Sequence, residues 1–181
     1  MNNQKILKTI ACIYSEEMHE TASSFCGIMS NELWKSHPYI EFKYSDWTEK
    51  LSLQTGVSND TYQAKIDEEL LKEADVIIAF IRRHIGDGLK KEIEEILKLK
   101  GKVGLGKPFF RVYFEDFEVN FNDVDCQKLK RLCEFKESLK SDAFLYKPPF
   151  IKNEASNLYY GLLVAFRAEI EINRILEDKN E

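Results

Sequence analysis

Asp75-Val76-Ile77-Ile78-Ala79-Phe80-Ile81 is the most strand-like run in the chain. After its leading acid it is apolar at every position, so a strand made from it must bury both faces. Strands of that kind lie in the middle of parallel sheets, with helices covering each side.

Working outward from this strand, the segment before it is helical, with a stripe at Tyr62, Ile66, Leu70 and Ala74 and a cap at Asn59 or Asp60. A loop from Thr48 to Ser58 precedes that helix. Tyr39 to Trp47 then alternates, with Ile40, Phe42 and Tyr44 to one side and Glu41 and Lys43 to the other, which predicts a strand. Pro38 ends an earlier helix running from Glu16 to Ser36, whose stripe is Met18, Ala22, Phe25, Met29 and Leu33. Lys5 to Ser15 carries Ile-Ala-Cys-Ile-Tyr and reads as a buried first strand.

On the other side, Arg82 to Gly88 is a turn, and Leu89 to Lys100 is a helix with Leu89, Ile93, Ile96 and Leu97 inward. A glycine-rich loop, Gly101 to Pro108, leads into a strand at Phe109 to Phe114. The acidic, aromatic stretch Glu115 to Asp123 reads as loop. Val124 to Lys140 is helical through Leu129, Leu132, Phe135 and Leu139, and Ala143 to Tyr146 is a brief last strand. Beyond Pro148 and Pro149 a long helix is expected over about 153–177, with Leu158, Leu162, Phe166 and Ile170 inward. Strict strand–helix alternation implies a parallel sheet sandwiched between helices. The expectation is one α/β domain over 1–181 with a flavodoxin-like three-layer sandwich. Its five-stranded parallel sheet would be ordered 2-1-3-4-5, with a ligand crevice between the first and third strands.

At 181 residues the chain can bury a sizeable core without disulfides. A formal net charge of −5 argues against a broadly basic nucleic-acid surface and against docking on anionic membranes. No apolar run reaches the roughly 18 residues of a membrane span. Met1 to Lys8 is polar and lacks the apolar segment of a signal peptide, so the expected compartment is the cytoplasm. Cys12, Cys26, Cys126 and Cys133 form no CxxC pair and are expected to be reduced core residues.

Gly101-Lys-Val-Gly104-Leu-Gly106 has the wrong spacing for a dinucleotide fingerprint, and it precedes a strand instead of following one. His19, His37 and His84 have no metal-ligand spacing, so no metal is expected. What remains is the set of strand ends. The first strand ends at Tyr14 and Ser15, the second at Asp46 and Trp47, and the third at Arg82, Arg83 and His84, followed by Gly86-Asp87-Gly88. The next helix carries Glu92, expected in its first turn.

In a switch-point crevice this set suits a nucleotide or nucleoside. Trp47 or Tyr14 stacks a ring, the helix N-terminus and Arg83 meet phosphate, and Glu92 accepts ribose hydroxyls or opposes a cationic sugar. Each residue also has a plainer role: Trp47 as a lid on the core, the arginines as solvated charge, Glu92 as complement to the helix dipole.

The ordered series Phe42-Lys-Tyr-Ser-Asp-Trp47, Gln63-Ala-Lys-Ile-Asp67, Glu73-Ala-Asp-Val-Ile-Ile-Ala-Phe80, Gly86-Asp-Gly-Leu-Lys-Lys-Glu92 and Gly106-Lys-Pro108 resembles TIR-like domains. The closest likeness is to the bacterial group found with signalling or defence ATPases. Gln127 to Lys136 is similar to the helix that trails the family's fourth strand. The resemblance implies cleavage of NAD at the nicotinamide–ribose bond, with NAD as substrate, no bound cofactor, and Glu92 as the catalytic carboxylate. Ahead of that glutamate the chain has Gly88 and Leu89, where many TIR enzymes have tryptophan, serine or cysteine. Tyr14, Ser15, Asp46, Trp47, Arg83 and His84 would bind substrate. The implied setting is antiviral defence or signalling, as a homo-oligomer contacting through the C-terminal helix at Leu163, Ile172 and Ile175, or alongside a fused or partner ATPase. Two alternatives stand beside it: a non-catalytic TIR-like interaction or sensor domain, and an enzyme similar to nucleoside deoxyribosyltransferases, which share a related fold and a comparable glutamate.

Overall fold

The computed structural model describes residues 5–29, 37, 39–46, 73–102, 109–120, 122, 125–139, 143–146 and 151–178. The strands are β1 (Ile6–Tyr14), β2 (Ile40–Asp46), β3 (Val76–Ile81), β4 (Phe109–Glu115) and β5 (Ala143–Tyr146). The helices are α1 (His19–Ile28), α2 (Asp87–Lys102), α3 (Cys126–Leu139), α4 (Ile151–Ala165) and α5 (Arg167–Asp178). A 3-10 turn, Glu16–Met18, joins β1 to α1.

Four strands in the order β2-β1-β3-β4 make the body of a parallel sheet, and the four-residue β5 pairs in parallel along the outer side of β4. β3 lies between β1 and β4, with Tyr14 opposite Phe80 and Ile81 opposite Phe114, and all six of its residues are buried. This is the central position that its unbroken apolar run predicts.

The pleat divides the core into two layers. Ile10, Cys12 and Tyr14 of β1 and Val76, Ile78 and Phe80 of β3 face a cluster with Phe25 of α1 and Leu158 and Leu162 of α4. Ala11, Ile13, Ile77, Ala79 and Ile81 face the opposite cluster, with Ile93 and Ile96 of α2 and Leu132, Phe135 and Leu139 of α3. The arrangement is α/β and compatible with a flavodoxin-like sandwich. In the first layer Phe25, Phe80 and Tyr113 form an aromatic knot, with centroids 5.1–5.4 Å apart. None of the described helices is long and apolar enough to cross a membrane.

The end of the sheet away from the strands' carboxyl ends is stitched by one acid. Asp75 accepts the Thr9 N–H on its side chain at 2.9 Å, donates its own N–H to Thr9 O at 2.9 Å, and accepts the Phe109 N–H on its carbonyl at 2.9 Å. Lys8 is buried beside it, 3.3 Å from Asp75 Oδ1 and 2.6 Å from Glu169 Oε2, with its ammonium 4.7 Å from the Phe166 ring centre. A buried ammonium needs such company, because water no longer stabilises it.

Several expectations are corrected. The C-terminal helix is two helices, α4 and α5, starting at Ile151 and interrupted at Phe166. The hydrogen bonds Phe166 N–H to Leu162 O and Ile170 N–H to Phe166 O still run across the break. Phe166 is buried there against Phe42 and Lys8. Helix α2 begins at Asp87, two residues before the expected start, so Glu92 stands in its second turn. It also runs through Gly101 and Lys102, where loop is expected. Cys12 and Cys26 are core residues, but Cys126 and Cys133 are exposed, because α3 buries only its Leu132, Phe135 and Leu139 stripe. Leu163 packs against the core, leaving Ile172 and Ile175 exposed. The expected helix at Tyr62 to Leu70, the end of the α1 stripe at Leu33, and Gly104 to Pro108 lie outside the described residues.

Candidate functional site

The side of the sheet at the strands' carboxyl ends is assembled from the segments after β1, β3 and β4. β1 runs out at Tyr14, and the Ser15 N–H donates to Phe80 O at 3.2 Å, so the first and third strands stay paired to their tips. The 3-10 turn closes with Met18 N–H on Ser15 O at 2.7 Å and swings Glu17 back over the end of β3. There Glu17 Oε1 accepts the Arg83 N–H at 2.9 Å and lies 3.6 Å from His84 Nδ1, an ion pair whenever the imidazole is protonated. A carboxylate of the chain thus spans the mouth of the β1/β3 crevice. Among the described residues the Ser15 hydroxyl is buried with no hydrogen-bond partner.

The end of β3 is also tied to β4. Arg82 Nε lies 2.7 Å from Glu115 Oε1, and that carboxylate is buried. Beyond Glu115 the chain forms the 116–120 segment, and α3 then starts at a strong cap: Asp125 Oδ1 accepts the N–H groups of Gln127 at 3.0 Å and Lys128 at 3.1 Å. Between these pieces lies a cleft of about 300 Å³, walled by Arg83 and His84 from the end of β3, Phe117 and Glu118 from the segment after β4, and Asp125 and Lys128 from the start of α3. A second cavity of about 190 Å³ lies against the same segment and is more apolar, with Phe114, Leu132 and Cys133 in its wall.

The expected site residues therefore separate. Arg83 and His84 line the 300 Å³ cleft. Tyr14 is buried in the core, its ring edge-on to His19 at 5.6 Å, and is no open stacking platform. Ser15 stands at the crevice mouth. Asp46 ends β2 opposite Cys12, two residues short of the β1 tip. Trp47 lies outside the described residues. Glu92 sits on α2 in helical phase with Leu89, Ile93 and Ile96, only 8% exposed, and it lines neither cavity. His37 is remote from this end: its Nδ1 accepts the Tyr39 N–H at 3.3 Å near the start of β2.

Sequence reasoning missed Glu17, Phe117 and Lys128. Glu17 falls in what reads as the first turn of a helix. Phe117 carries the one available signal, an aromatic residue in an acidic loop directly after a strand, where ligand-facing loops occur in this class of fold. Neither a family model, nor a curated protein, nor a solved structure matches the chain, so the reading of the site rests on its own geometry.

Proposed function

We propose that the chain is a TIR-like nucleotide-processing domain that cleaves the nicotinamide–ribose bond of NAD, with Glu92 as its catalytic carboxylate. The observation that carries this reading is the position of Glu92, a carboxylate on the helix that follows the third strand. A carboxylate loses much hydration when it is taken from water, and helices beside a switch-point crevice are where such acids serve chemistry. In the proposed reaction Glu92 holds the ribose hydroxyls. It also opposes the positive charge that builds at the anomeric carbon as nicotinamide leaves, an interaction that strengthens toward the transition state. Ser15 at the crevice mouth and Arg83 beside it would orient the substrate.

The test is nicotinamide release from NAD, measured for the wild type and Glu92→Gln, with melting curves to show that both are folded. A loss of about a hundredfold or more in kcat/KM is expected. Equal rates would remove Glu92 from the reaction, and no release by the wild type in any assembly state would remove the activity.

A second reading, an interaction domain without catalysis, draws on a different observation. Tyr160 and Val164 of α4 and Ile172, Ile175 and Leu176 of α5 are all exposed, at 48–74%. Apolar residues gathered along one end of a chain mark contact surfaces. Under this reading the helices mediate self-association or docking on a signalling partner, and nicotinamide release is absent while assembly persists.

A further inference from the structure

The 300 Å³ cleft at the ends of β3 and β4 shares Arg83 with the first of these readings but not Glu92, which does not line it. We infer that it is a binding site for a phosphomonoester of mononucleotide size, its phosphate held by Arg83, His84 and Lys128. The cations are in place. The Arg83 side chain is exposed, with no ion pair to another described residue. Among the described residues, the Lys128 side chain has one ion contact, a solvent-exposed one at 3.8 Å to Asp125. His84 turns Nδ1 toward Glu17, so Nε2 on the opposite edge of the ring donates to a phosphate oxygen when the ring is protonated. Glu17 already shows that this corner takes an anionic oxygen, since its carboxylate sits on the Arg83 N–H with His84 beside it.

The remaining walls narrow the ligand class. Asp125 already occupies the first free amides of α3, so a ligand anion must be bound by side chains and not by the helix end. Phe117, Val119 and Leu129 supply an apolar wall on which a flat ring can rest. Glu118 and Asp125 line the same cleft and Glu17 stands at its Arg83 end, three carboxylates against the two cations Arg83 and Lys128. That excess of negative charge disfavours a polyphosphate, and the carboxylates can accept sugar hydroxyls. The volume points the same way, standing at the small end of the range for small-molecule sites.

The experiment is isothermal titration of the full chain with AMP, adenosine, ATP and inorganic phosphate. AMP is expected to bind saturably at millimolar concentration or below, and about tenfold or more tighter than adenosine or ATP. Arg83→Gln, Lys128→Gln and Phe117→Ala should each weaken AMP about tenfold with unchanged melting curves. Glu118→Gln should narrow the preference for AMP over ATP. No saturable AMP binding overturns the proposal, as does AMP binding that these variants leave unchanged or that adenosine matches. Phosphate binding as tightly as AMP overturns the ring subsite. Because the readout is binding, a positive result stands whether or not nicotinamide is released.

Discussion

At the scale of single residues, the Tyr113 hydroxyl gives the clearest titration. Burial pushes its pKa up to about 12 from an ordinary 10.0, with Arg111 nearby pulling the other way. The unfolded chain therefore releases this proton first, so stability is intact below pH 10 and falls as pH rises toward the folded value. Two pH units of mismatch correspond to about 2–3 kcal/mol at the alkaline limit. Urea unfolding at pH 8 and pH 11 should show about half of that loss, roughly 1.4 kcal/mol, and Tyr113→Phe should remove this tyrosine's share of it. His37 works in the opposite sense. Its pKa is lowered from 6.5, first by burial and then by the charge of Lys5. Stability from this group is present above 6.5 and declines as pH falls through the lower folded value. Protonation also removes the lone pair that accepts the Tyr39 N–H. A shift of the His37 imidazole NMR resonances with a midpoint at or above 6.5 would contradict this.

At the scale of elements, the attachment of α5 depends on Lys8. Lys8→Met leaves Asp75 and Glu169 facing each other without the ammonium; because both carboxylates keep some solvent contact, the cost falls below the roughly 3–5 kcal/mol of breaking a fully buried pair. Hydrogen exchange should then show α5 opening well before the sheet, while β1 and β3 keep their protection. Equal loss across the sheet would mean that Lys8 serves the strands instead of the helix. The same elements show what sequence makes legible. β3 and its parallel neighbours are readable from one apolar run and from alternation in β2, because burial on one or two faces imposes a period. The break at Phe166 is not readable, since the hydrogen-bond ladder and the apolar stripe both continue through it. It reflects where Phe42 and Lys8 lie, which is tertiary information. Cys126 and Cys133 mislead for a similar reason: a small apolar residue one step round a helix from the buried stripe looks like core until the helix is docked. In the candidate site the strand ends Ser15, Arg83 and His84 are readable from topology, whereas the Glu17 bridge depends on the path of a three-residue turn.

At the scale of the whole molecule, the exposed apolar residues of α4 and α5 bear on assembly. Homo-oligomerisation through them predicts a concentration-dependent mass by light scattering. Ile172→Glu with Leu176→Glu should shift the protein to monomer without lowering its melting temperature, because both side chains are already in solvent. A monomer at every concentration would sink self-association by this face. The double variant also separates two dependencies: if nicotinamide release falls with mass, catalysis needs the assembled form, and if release persists, the site is complete in one chain.

The Lys8 cluster has a consequence for the order in which the protein is made. A ribosome delivers Lys8 ahead of Glu169 by 161 residues (169 − 8), and the Glu169 carboxylate lies 2.6 Å from the Lys8 ammonium. Asp75 arrives in between and offers only a 3.3 Å contact. Until α5 emerges, the N-terminal strand carries an ammonium that it can neither hydrate fully nor pair fully once the sheet closes over it. Long-range contacts of this span form late in folding, after the entropy of closing the loop has been met. The nascent sheet should therefore remain open to chaperones and proteases until α5 follows it, and consolidate when that helix reaches β1.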